Sequence, residues 1–217
     1  GKPVVFVMMT GSAVAIPWEA QNVPAIINAW YSGQSAGTAI ADVLFGDYNP
    51  AGRLPVTFYQ SDKDLPDFDD YSMKNRTYRY FKGKPLYGFG YGLSYTTFQY
   101  EGLKLRPSSA RGKNVPVIVS VSNAGKMDGE EVVQLYVSNL NNAASPVRSL
   151  KGFQRIFLKA GESKIVRFNL TPNNLSLIDD NGNPKQFRGK VLISVGGCQP
   201  DASTIKNKRT TEAILML

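Results

Sequence analysis

The sequence contains no histidine, one cysteine and no apolar run near the roughly 18 residues that would span a bilayer. Without histidine there is no Ser-His-Asp or Cys-His relay and no imidazole to bind a metal. Cys198 has no second cysteine to pair with inside the chain, which neither requires nor excludes secretion. Gly1-Lys2-Pro3 leads straight into a strand-like run, so no signal peptide is expected within these residues. A chain that opens inside an apolar strand reads as part of something longer. Asp67, Asp69 and Asp70 place three carboxylates in four residues, but the spaced glycine and terminal glutamate of a helix–loop–helix calcium loop are missing. A solvated loop is expected there, and no metal site or cofactor.

What is present is an ordinary globular composition: 217 residues, 42% apolar, room for one large or two small domains. The net charge of +8 is uneven, −2 over residues 1–62, +2 over 63–97 and +8 over 98–217. A basic half can signal nucleic acid. Here Arg106, Arg111, Lys151, Arg155, Lys164, Arg167 and Lys190 are scattered singly among strand-like segments, which fits a solvated surface with no nucleic-acid partner.

Residues 2–10, KPVVFVMMT, and 24–31, PAIINAWY, are continuous apolar runs of the kind buried on both faces of a parallel sheet. Between Gln34 and Gly46, Ala36, Ala39, Ile40, Val43 and Leu44 recur at helical spacing, and Gly46 is placed to stop the helix. Asn49-Pro50 and Gly52 then turn the chain. Residues 54–58, with β-branched and aromatic Val56-Thr57-Phe58, are expected to return as a strand. One helix cannot cover both faces of about three strands, so the sheet looks incomplete.

Residues 61–70 read as a linker. Beyond it, Tyr78, Tyr80, Phe81, Tyr87, Phe89, Tyr91 and Tyr95 alternate with Arg76, Arg79, Lys82 and Lys84. Two readings stand: a strap packed across two domains, or a surface on which rings stack. From Phe98 the period changes to two. Segments 98–105, 115–123, 131–139, 149–161, 163–170, 189–197 and 211–217 alternate apolar with polar, separated by turns such as 180–183. Seven strands in about 120 residues imply an antiparallel sandwich.

Three stretches resemble glycoside hydrolase family 3, the β-glucosidases and β-xylosidases. They are KPVVFVMMTG, PAIINAWYSGQSAGTAIADVLFGDYNPAGRLPVTF and RTYRYFKGKPLYGFGYGLSYTTF, followed by VSVSNAGKMDGEEVVQLYVS and SLKGFQRIFLKAGES. Tyr31-Ser32-Gly33 and Gly88 depart from it, each where a proline is usual. The resemblance implies that residues 1–62 are the C-terminal part of the family's α/β-sandwich domain, 63–97 an aromatic linker and 98–217 a fibronectin type III-like β-sandwich. It implies a parent that hydrolyses β-glucosides or β-xylosides with retention and without a metal, using two carboxylates about 5–5.5 Å apart. Neither carboxylate motif occurs here, so no catalytic residue is carried over and these residues are expected to be inactive alone. A carbohydrate-binding module or a purely structural pair of domains remains the alternative. Asp69, Asp70, Tyr71, Arg76, Tyr78 and Arg79 are expected to bind substrate or lie at an interface with the rest of the parent. The substrate would be an oligosaccharide or β-glycoside met through a barrel domain, in the periplasm or outside the cell, with no membrane insertion. The uncovered sheet implies a homodimer through residues 1–62.

Overall fold

The computed structural model describes residues 1–106, 112–142, 145–179 and 181–217. Arg111 and Asp180, the first residue of the expected turn at 180–183, lie outside them.

The first apolar run forms β1 (Val5–Met8), which pairs in parallel with β2 (Ala25–Asn28), Val5 opposite Ala25 and Met8 opposite Asn28. The crossover carries α1 (Pro17–Asn22), a helix the sequence reading had not assigned, started by Pro17 at a position where a missing N–H costs nothing. Next comes α2 (Ala36–Phe45), ended by Gly46 in the left-handed region at φ 86°. Two expectations fail here. Both strands are only four residues long and are not buried on both faces: Val4 and Val5 are exposed, and α2 buries none of its residues. Nor does 54–58 form a strand or join the parallel pair. Pro55 lacks an N–H, and the segment pairs instead with the aromatic stretch. Leu54 N donates to Tyr91 O (2.8 Å), Gly90 N to Leu54 O (2.7 Å) and Phe58 N to Tyr87 O (2.9 Å). Phe58 and Tyr87 make an isolated bridge. The apolar centre of this region is small: Met8, Ile16 and Phe58, with Trp30 edge-on to Phe58.

Residues 61–97 are a folded strap. Ser61 and Asp64 cap a 3-10 turn at Asp62–Asp64 reciprocally, and α3 (Thr77–Tyr80) follows.

The sandwich then appears as its alternation requires. The strands are β3 (Phe98–Leu105), β4 (Val115–Asn123), β5 (Gly129–Asn139), β6 (Ser149–Leu158), β7 (Ser163–Leu170), β8 (Ser176–Ile178), β9 (Pro184–Gln186), β10 (Lys190–Gly196) and β11 (Thr210–Met216). A short helix, α4 (Ala202–Lys206), precedes β11. One sheet has the order β3-β4-β7, the other β11-β10-β5-β6, and β8-β9 is a small hairpin the sequence reading omitted. Val115, Val117, Val119 and Val121 of β4 face Val133, Leu135 and Val137 of β5 and Val191, Ile193 and Val195 of β10 across one core. Gly102, at φ 64°, sits where the β3–β4 register shifts.

Candidate functional site

The residues with chemistry to offer gather where the strap crosses the sandwich. β5 is buried on both faces: Val133, Leu135 and Val137 point into the core, while Gln134 and Tyr136 point outward under the strap. Tyr78 stacks on Phe89 (centroids 4.2 Å, 16°) and meets Tyr136 edge-on at 6.2 Å. The Tyr136 hydroxyl donates to Gln134 Oε1 (2.5 Å), whose amide donates to Gly90 O (3.0 Å) and Gly197 O (2.9 Å). A Cβ at Gly90 would sit 2.1 Å from Gln134 Oε1, so only glycine lets the strap come this close. Opposite Tyr136 the β5–β6 register shifts past Lys151.

At one end of the sandwich, Arg53 reaches in from the turn before the strap. Its Nη2 lies 2.9 Å from Glu131 Oε1, both side chains under a tenth exposed, and its Nε donates to Gly197 O (3.2 Å). Burial raises the Glu131 pKa, opposed by Arg53 and the Val132 N–H. Among the described residues Glu131 is the one buried carboxylate. A cavity of about 190 Å³ beside the pair is also lined by Tyr100, whose buried hydroxyl has no partner there.

A second, larger cleft of about 540 Å³ lies between the strap and the segment leading into α4. Its strap wall is aromatic, with Tyr87 and Tyr91 stacked at 5.2 Å. Its other wall carries Arg148, Cys198, Gln199, Asp201 and Arg209. Arg148 Nη1 donates to Gln199 Oε1 (3.2 Å) and Pro200 O (3.0 Å), both neutral acceptors. The Asp201 carboxylate is engaged as the cap of α4, accepting from Thr204 N (2.8 Å). Cys198 is 5% exposed and burial pushes its thiol pKa up.

The structure divides the residues singled out in the sequence. Tyr78 packs against the sandwich and accepts from Leu150 N (3.1 Å). Arg79 follows it, its carbonyl accepting from Val147 N (2.7 Å), its guanidinium over the Tyr80 ring, its Nε buried without a partner among the described residues. Arg76 gathers the acidic loop, donating to the carbonyls of Ser72, Asp67 and Asp70. Asp70 accepts from Ser72 N (2.8 Å), a bond that lowers its pKa, and Asp69 and Tyr71 are exposed. Sequence reasoning missed Arg53, Glu131 and Arg148. Glu131 was visible in principle: it shares phase with Val133, Leu135 and Val137, and a charge on the core side of a strand requires a partner. Among the described residues, no group of three His, Cys, Asp or Glu is placed to hold a metal, and no helix is long and apolar enough to cross a membrane.

The glycosyl hydrolase family 3 C-terminal domain matches residues 1–95, and a fibronectin type III-like domain matches residues 131–198. A xylan 1,4-beta-xylosidase of Xylanibacter ruminicola is 47% identical over 197 residues, covering 90% of this chain and 23% of that protein. A periplasmic beta-glucosidase of Salmonella typhimurium is 43% identical over 210 residues, covering 90% and 28%. Among solved structures, the beta-D-glucoside glucohydrolase of Trichoderma reesei superposes with TM-score 0.86 at 29% identity, over 99% of this chain and 33% of that one. The chain thus spans about a quarter of the length of the curated relatives it matches.

Proposed function

This chain belongs to glycosyl hydrolase family 3, and from that premise we propose that it is the C-terminal, non-catalytic portion of a retaining β-glycosidase acting on β-xylosides or β-glucosides. The observation that carries the reading is the disposition of its carboxylates. Retention needs two acidic groups about 5–5.5 Å apart in one cleft. Each of the two clefts described above is lined by a single carboxylate, Glu131 locked to Arg53 and Asp201 engaged in capping. In this reading the chemistry resides in polypeptide beyond these residues, consistent with the chain covering only about a quarter of its relatives, and this portion supports it. The 217-residue chain should give no turnover of nitrophenyl β-xyloside or β-glucoside above a no-protein control, while the same chain extended by the upstream coding sequence should hydrolyse one of them. Turnover by the chain alone overturns the reading.

In this reading residues 1–62 complete an α/β domain, 63–97 form the strap and 98–217 the sandwich. Asp69, Asp70, Tyr71, Arg76, Tyr78 and Arg79 meet the rest of the enzyme or its substrate, supported by the outward position of the acidic loop and the exposed Phe68 and Tyr71 beside it. The parent works in the periplasm or outside the cell, as the name of the Salmonella relative suggests. Expressed as it stands, the chain self-associates through residues 1–62, where Val4, Val14, Trp18, Tyr31 and Phe45 are exposed. Light scattering after size exclusion checks this, and a monomer at micromolar concentration refutes it.

A further inference from the structure

We propose that the cleft between strap and sandwich is a second, non-catalytic sugar site that takes a pyranose carrying a carboxylate. The inference rests on the glycosidase reading only in that the ligand is a carbohydrate; the site itself is argued from its walls. Its volume, about 540 Å³, is that of a small-ligand pocket rather than a packing defect. The stacked rings of Tyr87 and Tyr91 supply the aromatic side, which suits the apolar C–H face of a sugar ring. Thr57 also lines the cleft; it is 7% exposed and its buried hydroxyl has no hydrogen-bond partner among the described residues, a vacancy that a sugar hydroxyl fills.

Charge decides the class of sugar. Lys84, Arg148 and Arg209 line the cleft, against Asp201 among the lining carboxylates; behind the wall Glu212 acts on Arg148 and Glu131 on Arg209, which leaves three cations to three anions with only Asp201 at the surface of the cleft. Among the described residues none of the three cations has a carboxylate within ion-pair distance; the ion pairs present involve other side chains. Arg148 is held in place by neutral acceptors, so its guanidinium is oriented without being neutralised. A partly buried guanidinium positioned this way is the group best matched to a carboxylate, and two further cations reinforce the field. A neutral pyranose satisfies the rings and Thr57 but gives the Arg148 guanidinium no charged partner of its own, Glu212 and Asp201 acting on it only beyond ion-pair distance.

The test uses a pair of ligands that differ only at the sixth carbon, methyl glucuronoside and methyl glucoside, titrated into the 217-residue chain by NMR. The acidic sugar should bind about tenfold or more tightly than the neutral one, a preference that shrinks as salt rises. Lys84→Ala, at an exposed position, and Arg209→Gln should each reduce the preference, with unchanged amide spectra away from the cleft showing that the fold is intact. Sodium acetate should not displace the sugar at equal concentration. Equal binding of both sugars, no saturation by either, or displacement by acetate overturns the proposal. Loss of sugar binding with hydrolysis retained in the extended protein sinks this inference alone; binding without hydrolysis in that protein sinks the glycosidase reading alone.

Discussion

From Phe98 onward one face of each long strand is closed off: Val115, Val117, Val119 and Val121 have no exposed surface, while outer-face residues such as Phe153 and Ile165 stay in solvent. In residues 1–97 positions of the same character lie outside, with Val4 59%, Trp18 66% and Phe45 83% exposed. Both regions have regular elements, turns with the right glycines and strands of β-branched residues. What separates them is closure. Two sheets facing each other bury one face each and need nothing further, whereas two parallel strands and one helix leave most of their apolar surface without a neighbour. The first region keeps its shape by leaning on the second, through Arg53–Glu131, through Tyr78 on Tyr136, and through Tyr48, which donates to Glu130 Oε2 and accepts from Arg155.

The most drastic way to break the comparison is to cut it. Residues 98–217 alone should melt cooperatively, and residues 1–97 alone should show no cooperative transition, both followed by circular dichroism. If the N-terminal piece melts cooperatively, its small apolar centre is sufficient and the dependence described above is wrong. Next in size is Arg53→Ala, which leaves Glu131 charged and buried. Removing one partner of such a pair costs about 3–5 kcal/mol, measured by denaturant unfolding of the whole chain. Because the pair joins the regions, the loss should appear in probes of both.

Core truncation sharpens the contrast within one chain. Leu135→Ala, in the middle of the sandwich, should cost about 2–5 kcal/mol. Met8→Ala, in a site with few neighbours to form a cavity, should cost about 1 kcal/mol. Equal costs would mean that the N-terminal centre is packed as tightly as the sandwich. The smallest effect expected is at Glu130. The hydrogen bond from Arg155, helped by Tyr48, holds its pKa below the ordinary 4.5. Its stabilisation is therefore complete above that value and fades as pH falls through the folded-state pKa. Glu130→Gln should cost no more than about 1 kcal/mol at pH 7, less in high salt, and progressively less as pH falls through the folded-state pKa. Glu131 has the opposite sign: burial raises its pKa, so its contribution weakens as pH climbs above the ordinary carboxylate range.

These contrasts also explain what could be read from residues alone. β4 and β7 were legible to the residue, because a buried strand with one wet face writes its phase into the sequence. The helix at 36–45 was legible from its spacing and its terminal glycine. The strand expected at 54–58 does not form: the segment is extended but makes only an isolated bridge at Phe58, because its composition says extended without naming a partner, and what it meets is the strap at 86–91. The site was less legible than the fold for the same reason. Arg148 and Tyr91 are 57 positions apart by their numbers, and nothing local to either says that they line one cleft. Tyr78 stood out only as one aromatic among seven.

Cys198 turns the seam between the regions into something that can be timed. Its sulfur is walled in by strap and sandwich together, and burial keeps it protonated at neutral pH. An alkylating reagent too bulky for the cleft reaches it only while the strap has lifted, so its labelling rate, set against that of the same thiol in the unfolded chain, measures how often the seam opens. As the chain has no other thiol, that clock reads a single local event, in native buffer and without any added probe.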